Sequence, residues 1–85
     1  MNISTKGRYG LRLMLELGIN YNNGYLSTKQ IAKRQEVSDK YLEQIISILS
    51  KAKLIKTKRG ASGGHALSKS PENYTVGEIL TALEG

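Results

Sequence analysis

In residues 27–64, two helical segments, a basic segment and a glycine-containing loop follow each other with few residues between them. This order limits the folds that the chain can adopt. Serines precede two helical segments, one at Ser27, where Gln30 completes a capping box, and one at Ser38. A basic segment and a glycine-containing loop at 60–64 follow directly. Two helices followed by a strand and a loop form the layout of a winged helix-turn-helix.

The second of these helices carries apolar residues at helical spacing, which turns one face toward the core. The apolar positions are Leu42, Ile45, Ile46 and Leu49. The opposite face then presents polar side chains suited to reading base edges. We predict a major-groove surface formed by Ser38, Asp39, Lys40, Tyr41, Glu43 and Gln44.

Three of these residues have other interpretations. Glu43 and Gln44 are also typical solvated residues of an amphipathic helix, and Tyr41 is equally suited to packing, with only its hydroxyl reaching outward. The neighbouring basic segment favours a DNA role for the first two. The amide of Gln44 can pair with adenine, whereas Glu43 can accept from a cytosine amino group and repel phosphate.

Positive charge is concentrated in residues 1–68, which hold twelve Lys and Arg against four acidic residues. Residues 69–85 hold one lysine against three glutamates. No acidic residue lies between Glu43 and Glu72, and that interval contains six basic residues. A phosphate backbone would be attracted there in a salt-dependent way.

Composition argues against several classes of protein. A chain of 85 residues forms one domain, 1–85, with a modest core and little room for a catalytic cleft. It has no cysteine, one histidine and no evident paired carboxylates, so we expect neither an enzyme nor a metal site. We see no membrane span and no signal peptide, and therefore expect a cytoplasmic location at the nucleoid.

The periodicity predicts a mainly α fold with a small β-hairpin. We expect helices at about 5–20, 28–35 and 39–51, strands at 54–59 and 64–68, and a last helix after Thr75. The first helix is apolar on several sides, which predicts two covers: the rest of the domain, and a partner subunit or a further segment. In the last helix we expect Val76, Ile79, Leu80 and Leu83 to face inward.

Further candidate DNA contacts lie outside the second helix. Lys58, Arg59 and Gly60 form the expected wing, where glycine allows a close backbone approach and a guanidinium suits a narrow minor groove. Arg59 also has the simpler interpretation of a solvated hairpin charge. Candidate phosphate contacts are Lys6, Arg8 and Thr28, although basic residues at a helix start are common. The lone His65 favours a structural or surface role over metal binding.

Four ordered motifs resemble the Rrf-type bacterial transcriptional regulators, across the whole chain. They are ISTKGRYGL at 3–11, SDKYLEQI at 38–45, KRGASGG at 58–64, and TVGEI at 75–79 with LEG at 83–85. The family includes the iron-sulfur cluster regulator, the nitric-oxide-sensing repressor and the master repressor of cysteine metabolism. The resemblance implies a homodimeric repressor or activator on an imperfect palindrome, with the Ser38 helix in the major groove and the wing at the minor groove.

Members of this family usually continue past the position of Gly85. A loop, which holds three cysteines in the cluster-binding branch, precedes a long dimerisation helix. We therefore expect no cofactor in this chain, and an iron-sulfur cluster only through such a further segment. A regulatory protein or small-molecule signal would act there too. His65 stands where the family often has tyrosine, and Arg8 cannot replace the acidic residue with which one branch helps hold its cluster.

The sequence thus predicts a transcriptional regulator, acting as a repressor, that binds double-stranded DNA at a palindromic operator as a homodimer. The alternative is a winged-helix protein-interaction module without sequence-specific DNA binding. That alternative leaves the acid-free basic segment and Arg59 unexplained. Salt sensitivity distinguishes the two, because counterion release makes DNA binding fall steeply with salt.

Overall fold

The computed structural model describes residues 2–85 and confirms a mainly α winged helix-turn-helix with one antiparallel hairpin. Its elements are α1 (Thr5–Ile19), α2 (Thr28–Gln35), α3 (Asp39–Lys51), β1 (Ile55–Lys58), β2 (Gly64–Leu67), a 3₁₀ turn (Pro71–Asn73) and α4 (Val76–Glu84). The first helix ends one residue earlier than expected. Both strands are shorter than the predicted 54–59 and 64–68.

Each α-helix begins after a residue whose side chain accepts a hydrogen bond from a first-turn backbone N–H. These caps are Ser4, Ser27, Ser38 and Thr75. The expected capping box with Gln30 is complete, and Glu78 completes a second one, since each side chain also accepts from the backbone N–H of its cap residue. A cap of this kind contributes about 1 kcal/mol, so the chain itself fixes where each helix starts.

The turn between α2 and α3 reverses the chain without a glycine. Glu36 adopts the left-handed conformation, with φ 56° and ψ 45°. The N–H of Val37 donates to the carbonyl of Ala32 at 3.1 Å, which satisfies the end of α2. Because Ser38 caps α3 directly afterwards, only three residues separate the two helices. This short turn restricts the angle at which α3 leaves α2.

The core lies where α3 meets α1, α2 and the hairpin. Its fully buried large side chains are Leu13, Leu17, Ile31, Leu42, Ile45 and Leu49. The apolar face predicted for α3 is confirmed, because Ile46 is buried with the other three. Packing of this face leaves the opposite side of α3 in solvent.

Two buried glycines allow α4 to lie close against α1. A Cβ atom on Gly10 would overlap the side chain of Leu83, and one on Gly7 would overlap that of Glu84. Ile79 and Leu83 are buried as expected, and Leu80 is half-buried. The expectation for Val76 is wrong: it is 59% exposed, because it lies in the first turn of α4 and borders the open groove between α4 and α1.

The outer side of α1 retains apolar surface. Leu15 and Ile19 are 65% and 73% exposed, and an open groove of about 410 Å³ lies beside Leu15, between α1 and α4. The second cover predicted for α1 is thus not supplied within residues 2–85. No helix of the described chain is both long enough and apolar enough to cross a membrane.

A backbone pair outside the hairpin joins the wing to the start of α2. The N–H of Leu26 donates to the carbonyl of His65 at 3.0 Å, and the N–H of His65 donates to the carbonyl of Leu26 at 2.7 Å. Gly64 permits this approach at φ 144°, where a Cβ atom would collide with the Leu26 backbone. No local pattern in the sequence indicates this contact between residues 39 positions apart.

Gly64→Ala should therefore lower the free energy of unfolding by about 2 kcal/mol or more, through a strained φ and a backbone overlap. Urea unfolding followed by circular dichroism measures the change. Gly77→Ala is the matched control, because its Cβ would meet its nearest neighbour, Thr75 Oγ1, at an ordinary 3.9 Å. Equal stabilities for the two variants would contradict this account of Gly64.

Candidate nucleic-acid interface

The outer face of α3 is polar and accessible. Asp39, Lys40, Glu43 and Gln44 are exposed, and none of them takes part in an ion pair within the described residues. All four lie opposite the buried apolar row of the same helix. The helix therefore offers two carboxylates, one ammonium and one amide to a partner surface. These groups suit hydrogen bonding to base edges.

Ser38 and Tyr41 are held more firmly than the rest of this face. The hydroxyl oxygen of Ser38 accepts from the N–H of Tyr41 at 3.0 Å, while its own proton stays available. Tyr41 is half-buried, with its ring edge-on to that of Tyr9, centroids 5.9 Å apart and planes at 89°. The ring of Tyr41 is thus a packing group that joins α3 to α1.

The wing places basic residues at an exposed turn. Lys58, Arg59 and Gly60 are all exposed, and the turn is closed by the N–H of Gly63, which donates to the carbonyl of Gly60 at 3.0 Å. Gly60 has φ 108°, a conformation that few other residues adopt. Neither basic side chain is in an ion pair with a described residue. Both charges are therefore accessible to a phosphate backbone.

A tyrosine that the sequence analysis missed lies beside the wing. The ammonium groups of Lys56 and Lys58 lie 5.9 and 5.8 Å from the ring centroid of Tyr25. The two lysines alternate along β1 and so share one side of the strand. Because Lys56 lies two residues before Lys58 on a strand, the sequence could have indicated that Lys56 also belongs to the wing surface. No local pattern indicated Tyr25. This side of the hairpin adds one further positive charge, that of Lys56, to the basic surface.

The phosphate candidates on α1 lie at its first turns. Lys6 and Arg8 are exposed and are outside both ion pairs found in the described residues. Between them and α3 stands Tyr9, which contacts Tyr41 and also carries the guanidinium of Arg12 at 4.9 Å from its ring centroid. The start of α1 thus lies next to the start of α3. The basic groups of α1 are thus carried by a segment that packs against the start of α3.

Thr28, the third phosphate candidate, is linked to the wing through His65. Thr28 Oγ1 lies 3.0 Å from Nε2 of His65, and Thr57 Oγ1 lies 3.0 Å from Nδ1 of the same ring. The ring is only 9% exposed. Burial lowers the pKa of His65 below its usual value, so the ring is neutral at neutral pH. The structural role expected for this histidine therefore connects three elements: α2, β1 and β2.

Both ion pairs of the described chain lie away from α3 and the wing. Arg34 contacts Glu16 at 3.2 Å, which joins α2 to α1, and Lys69 contacts Glu78 at 3.6 Å beside α4. Lys69 is therefore partly neutralised and does not extend the basic surface as its sequence position suggested. The basic residues of α3, β1 and the wing tip form no ion pair with any residue in 2–85.

The described residues contain no group of three or more His, Cys, Asp or Glu side chains that could hold a metal ion. The only histidine of the chain is already held by two threonine hydroxyls. Iron ions and iron-sulfur clusters take thiolate and imidazole ligands, and the described side chains do not offer a set of such ligands. The arrangement suits recognition of an extended anionic surface.

Comparison with known proteins agrees with this geometry. The profile of the Rrf2 family, described as an iron-dependent transcriptional regulator, matches residues 3–85. The chain is 48% identical over 85 residues to the HTH-type transcriptional regulator CymR of Bacillus subtilis (strain 168), covering 100% of this chain and 62% of that protein.

Two solved structures share the fold. The structure of CymR (YrzC), the global cysteine regulator of B. subtilis, matches with a TM-score of 0.96 and 47% identity, over 100% of this chain and 66% of that one. The structure of T. potens IscR matches with a TM-score of 0.93 and 46% identity, over 100% of this chain and 62% of that one. The chain thus spans about two thirds or less of each of these proteins.

The buried His65 should make stability depend on pH. Because its pKa is lowered in the folded chain, the unfolded chain takes up a proton first as pH falls below about 6.5. Stability should be full above that pH and decline below it, by at most ~1.4 kcal/mol per pH unit. Urea unfolding at about pH 7.5 and about pH 5.5 measures this decline.

His65→Gln is the control for this pH dependence. His65 is the only histidine, so no other side chain with an ordinary pKa titrates in that interval. The variant should show a nearly flat stability between the two pH values. An unchanged slope in the variant would exclude His65 as its source.

Proposed function

We propose that this chain, which belongs to the Rrf2 family of transcriptional regulators, binds a palindromic operator in double-stranded DNA. It binds as a homodimer and represses transcription. The observation that carries this proposal is the exposed polar face of α3, flanked by a wing whose basic side chains have no acidic partner in the described chain. Such a protein acts in the cytoplasm, at the nucleoid. Its relatives are regulators and not enzymes.

In the proposed complex, α3 enters the major groove. Gln44 is the base-reading residue, because an amide can donate to and accept from adenine at once. Glu43 accepts from a cytosine amino group and disfavours sites that bring a phosphate or a carbonyl edge to it. Lys40 and the hydroxyl of Ser38 supply further donors, and Asp39 an acceptor, at the start of the helix.

The wing and the first turns of α1 and α2 make the contacts to phosphates and to the minor groove, which do not depend on base identity. Arg59 enters the minor groove next to the glycine turn, with Lys58 at the adjoining phosphates. Lys6 and Arg8 contact the backbone beside the start of α3, and Thr28 contacts it beside the base of the wing. Neutralising several phosphates releases counterions, so affinity should fall steeply with salt.

The homodimer belongs to the same proposal. Two copies would place their α3 helices about one helical turn apart on a palindrome. The exposed apolar side of α1, with Leu15 and Ile19, favours an additional cover beyond the described residues. Joining two half-site contacts raises affinity through effective concentration, so a single copy should bind more weakly than a pair. A signal or a cofactor would act through parts outside this chain.

The first test is selection of random duplex DNA against the purified chain at two salt concentrations. Recovery of a palindrome whose binding weakens with salt supports a sequence-specific regulator. Salt-sensitive binding with no recovered motif contradicts sequence reading by this chain alone. No binding even at low salt favours the protein-interaction module.

Arg59→Ala should reduce affinity for the recovered duplex by roughly tenfold and lower the salt slope by about 1. Fluorescence anisotropy at several salt concentrations measures both effects. Arg34→Ala is the matched control, since it removes the same charge from a side chain that is paired with Glu16. If the two variants lose affinity equally, the wing makes no specific contact.

Gln44→Ala should relax sequence preference at one base pair of each half-site. The expected loss of discrimination is about 1–3 kcal/mol there, with little change elsewhere. Anisotropy against single-base variants of the duplex measures it, with Ser50→Ala of the same helix as the control. Equal weakening on every duplex would mean that Gln44 positions the helix and does not read a base.

A further inference from the structure

His65 occupies an unusual place in the wing, because its side chain joins two hydroxyl groups from other elements. Its Nδ1 atom lies 3.0 Å from Thr57 Oγ1 on β1, and its Nε2 atom lies 3.0 Å from Thr28 Oγ1, at the first residue of α2. The ring is nearly buried. Both ring nitrogens therefore have a single, defined partner in the protein.

The backbone of the same residue fixes where this ring lies. The N–H and the carbonyl of His65 both pair with Leu26, which immediately precedes the Ser27 cap of α2. With these two bonds, the position of the imidazole relative to Thr28 does not depend on a flexible side chain alone. The wing and the start of α2 are thus joined through both backbone and side-chain hydrogen bonds.

A neutral imidazole limits where the protons can lie among Thr57, His65 and Thr28. One ring nitrogen donates and the other accepts, so only two arrangements satisfy both threonines. In the first, Thr57 donates to Nδ1, and the Nε2 proton goes to Thr28 Oγ1. In the second, Nδ1 donates to Thr57, and Thr28 donates its proton to Nε2. The lowered pKa of the ring keeps it in this neutral state at neutral pH.

Only the first arrangement leaves the proton of Thr28 free for a ligand. Phosphate oxygens accept hydrogen bonds and cannot donate them, so a phosphate beside Thr28 requires that free proton. In the second arrangement, Thr28 could offer a phosphate no donor from its hydroxyl. A bound phosphate should therefore select one tautomer of His65.

We propose that His65 is a positioning residue for operator binding, which holds the Thr28 hydroxyl as a donor toward a DNA phosphate and couples that contact to the base of the wing. This inference rests on the proposed DNA-binding function. It adds a residue that itself touches no DNA.

Nitrogen-15 NMR observes the tautomer directly, and the single histidine makes the assignment unambiguous. Spectra of the 85-residue chain are recorded at neutral pH, alone and with the duplex recovered by selection. We expect the complex to hold the tautomer protonated at Nε2. A complex that holds the tautomer protonated at Nδ1 would overturn the proposal.

Two conservative variants separate positioning from simple packing. The amide nitrogen of His65→Gln can reach the place of Nε2 and still donate to Thr28, whereas the shorter His65→Asn can replace only Nδ1. We expect His65→Gln to bind the duplex within about twofold of the original chain and His65→Asn to bind roughly threefold to tenfold more weakly. Equal losses in both variants would indicate a purely structural residue.

A double-mutant cycle tests whether His65 acts through Thr28. Thr28→Val should weaken binding by roughly threefold to tenfold, and adding His65→Asn should then cost little more. Thr81→Val, an exposed threonine of α4, is the matched control and should bind normally. Additive losses would overturn the proposal. Thermal unfolding of every variant confirms that the folded chain is being compared.

The same measurements separate the two hypotheses. If the original chain binds no duplex at any salt concentration, the proposed function fails and this inference fails with it. If the original chain binds its duplex while the variants show additive or equal losses, the function stands and only the role of His65 is wrong.

Discussion

The reciprocal backbone pair between Leu26 and His65 is the contact on which the candidate interface depends. Without it, the hairpin would be attached to the domain mainly through the packing of β1 on α3 and of β2 on α1. Two hydrogen bonds of 3.0 and 2.7 Å instead place the wing beside the start of α2. Gly64 makes them possible, since any side chain there would meet the Leu26 backbone. The wing and the helix pair therefore form one surface.

Much of the fold could be predicted because it is encoded locally. Ser27 with Gln30, and Thr75 with Glu78, specify helix starts within four residues of sequence, and both boxes are present. The buried side of α3 follows from a repeat that any helix must obey. These features require no knowledge of distant contacts, which is why their predicted positions agree with the structure.

The remaining features depend on residues far apart in the chain. Tyr25 meets Lys56 and Lys58, and His65 meets Thr28, only once the hairpin is folded back onto α2. Val76 was expected inside because its spacing fits an apolar row, yet it borders the open groove between α1 and α4 and remains exposed. The apolar repeat of one helix cannot show which of its apolar residues a neighbouring helix will cover. The predicted base and phosphate contacts remain predictions for the same reason: they depend on a partner.

The two carboxylates on α3 bear on the choice between the candidate functions. Asp39 and Glu43 are exposed and unpaired in the described structure, on the same helix face as Lys40. A surface that served only to attract phosphate would gain affinity from lysine at either acidic position. Carboxylates there reduce affinity for DNA in general and favour only sites that offer donors, such as the amino group of cytosine. An α3 face that carries two carboxylates is therefore better suited to discriminating between DNA sequences than to binding DNA of any sequence.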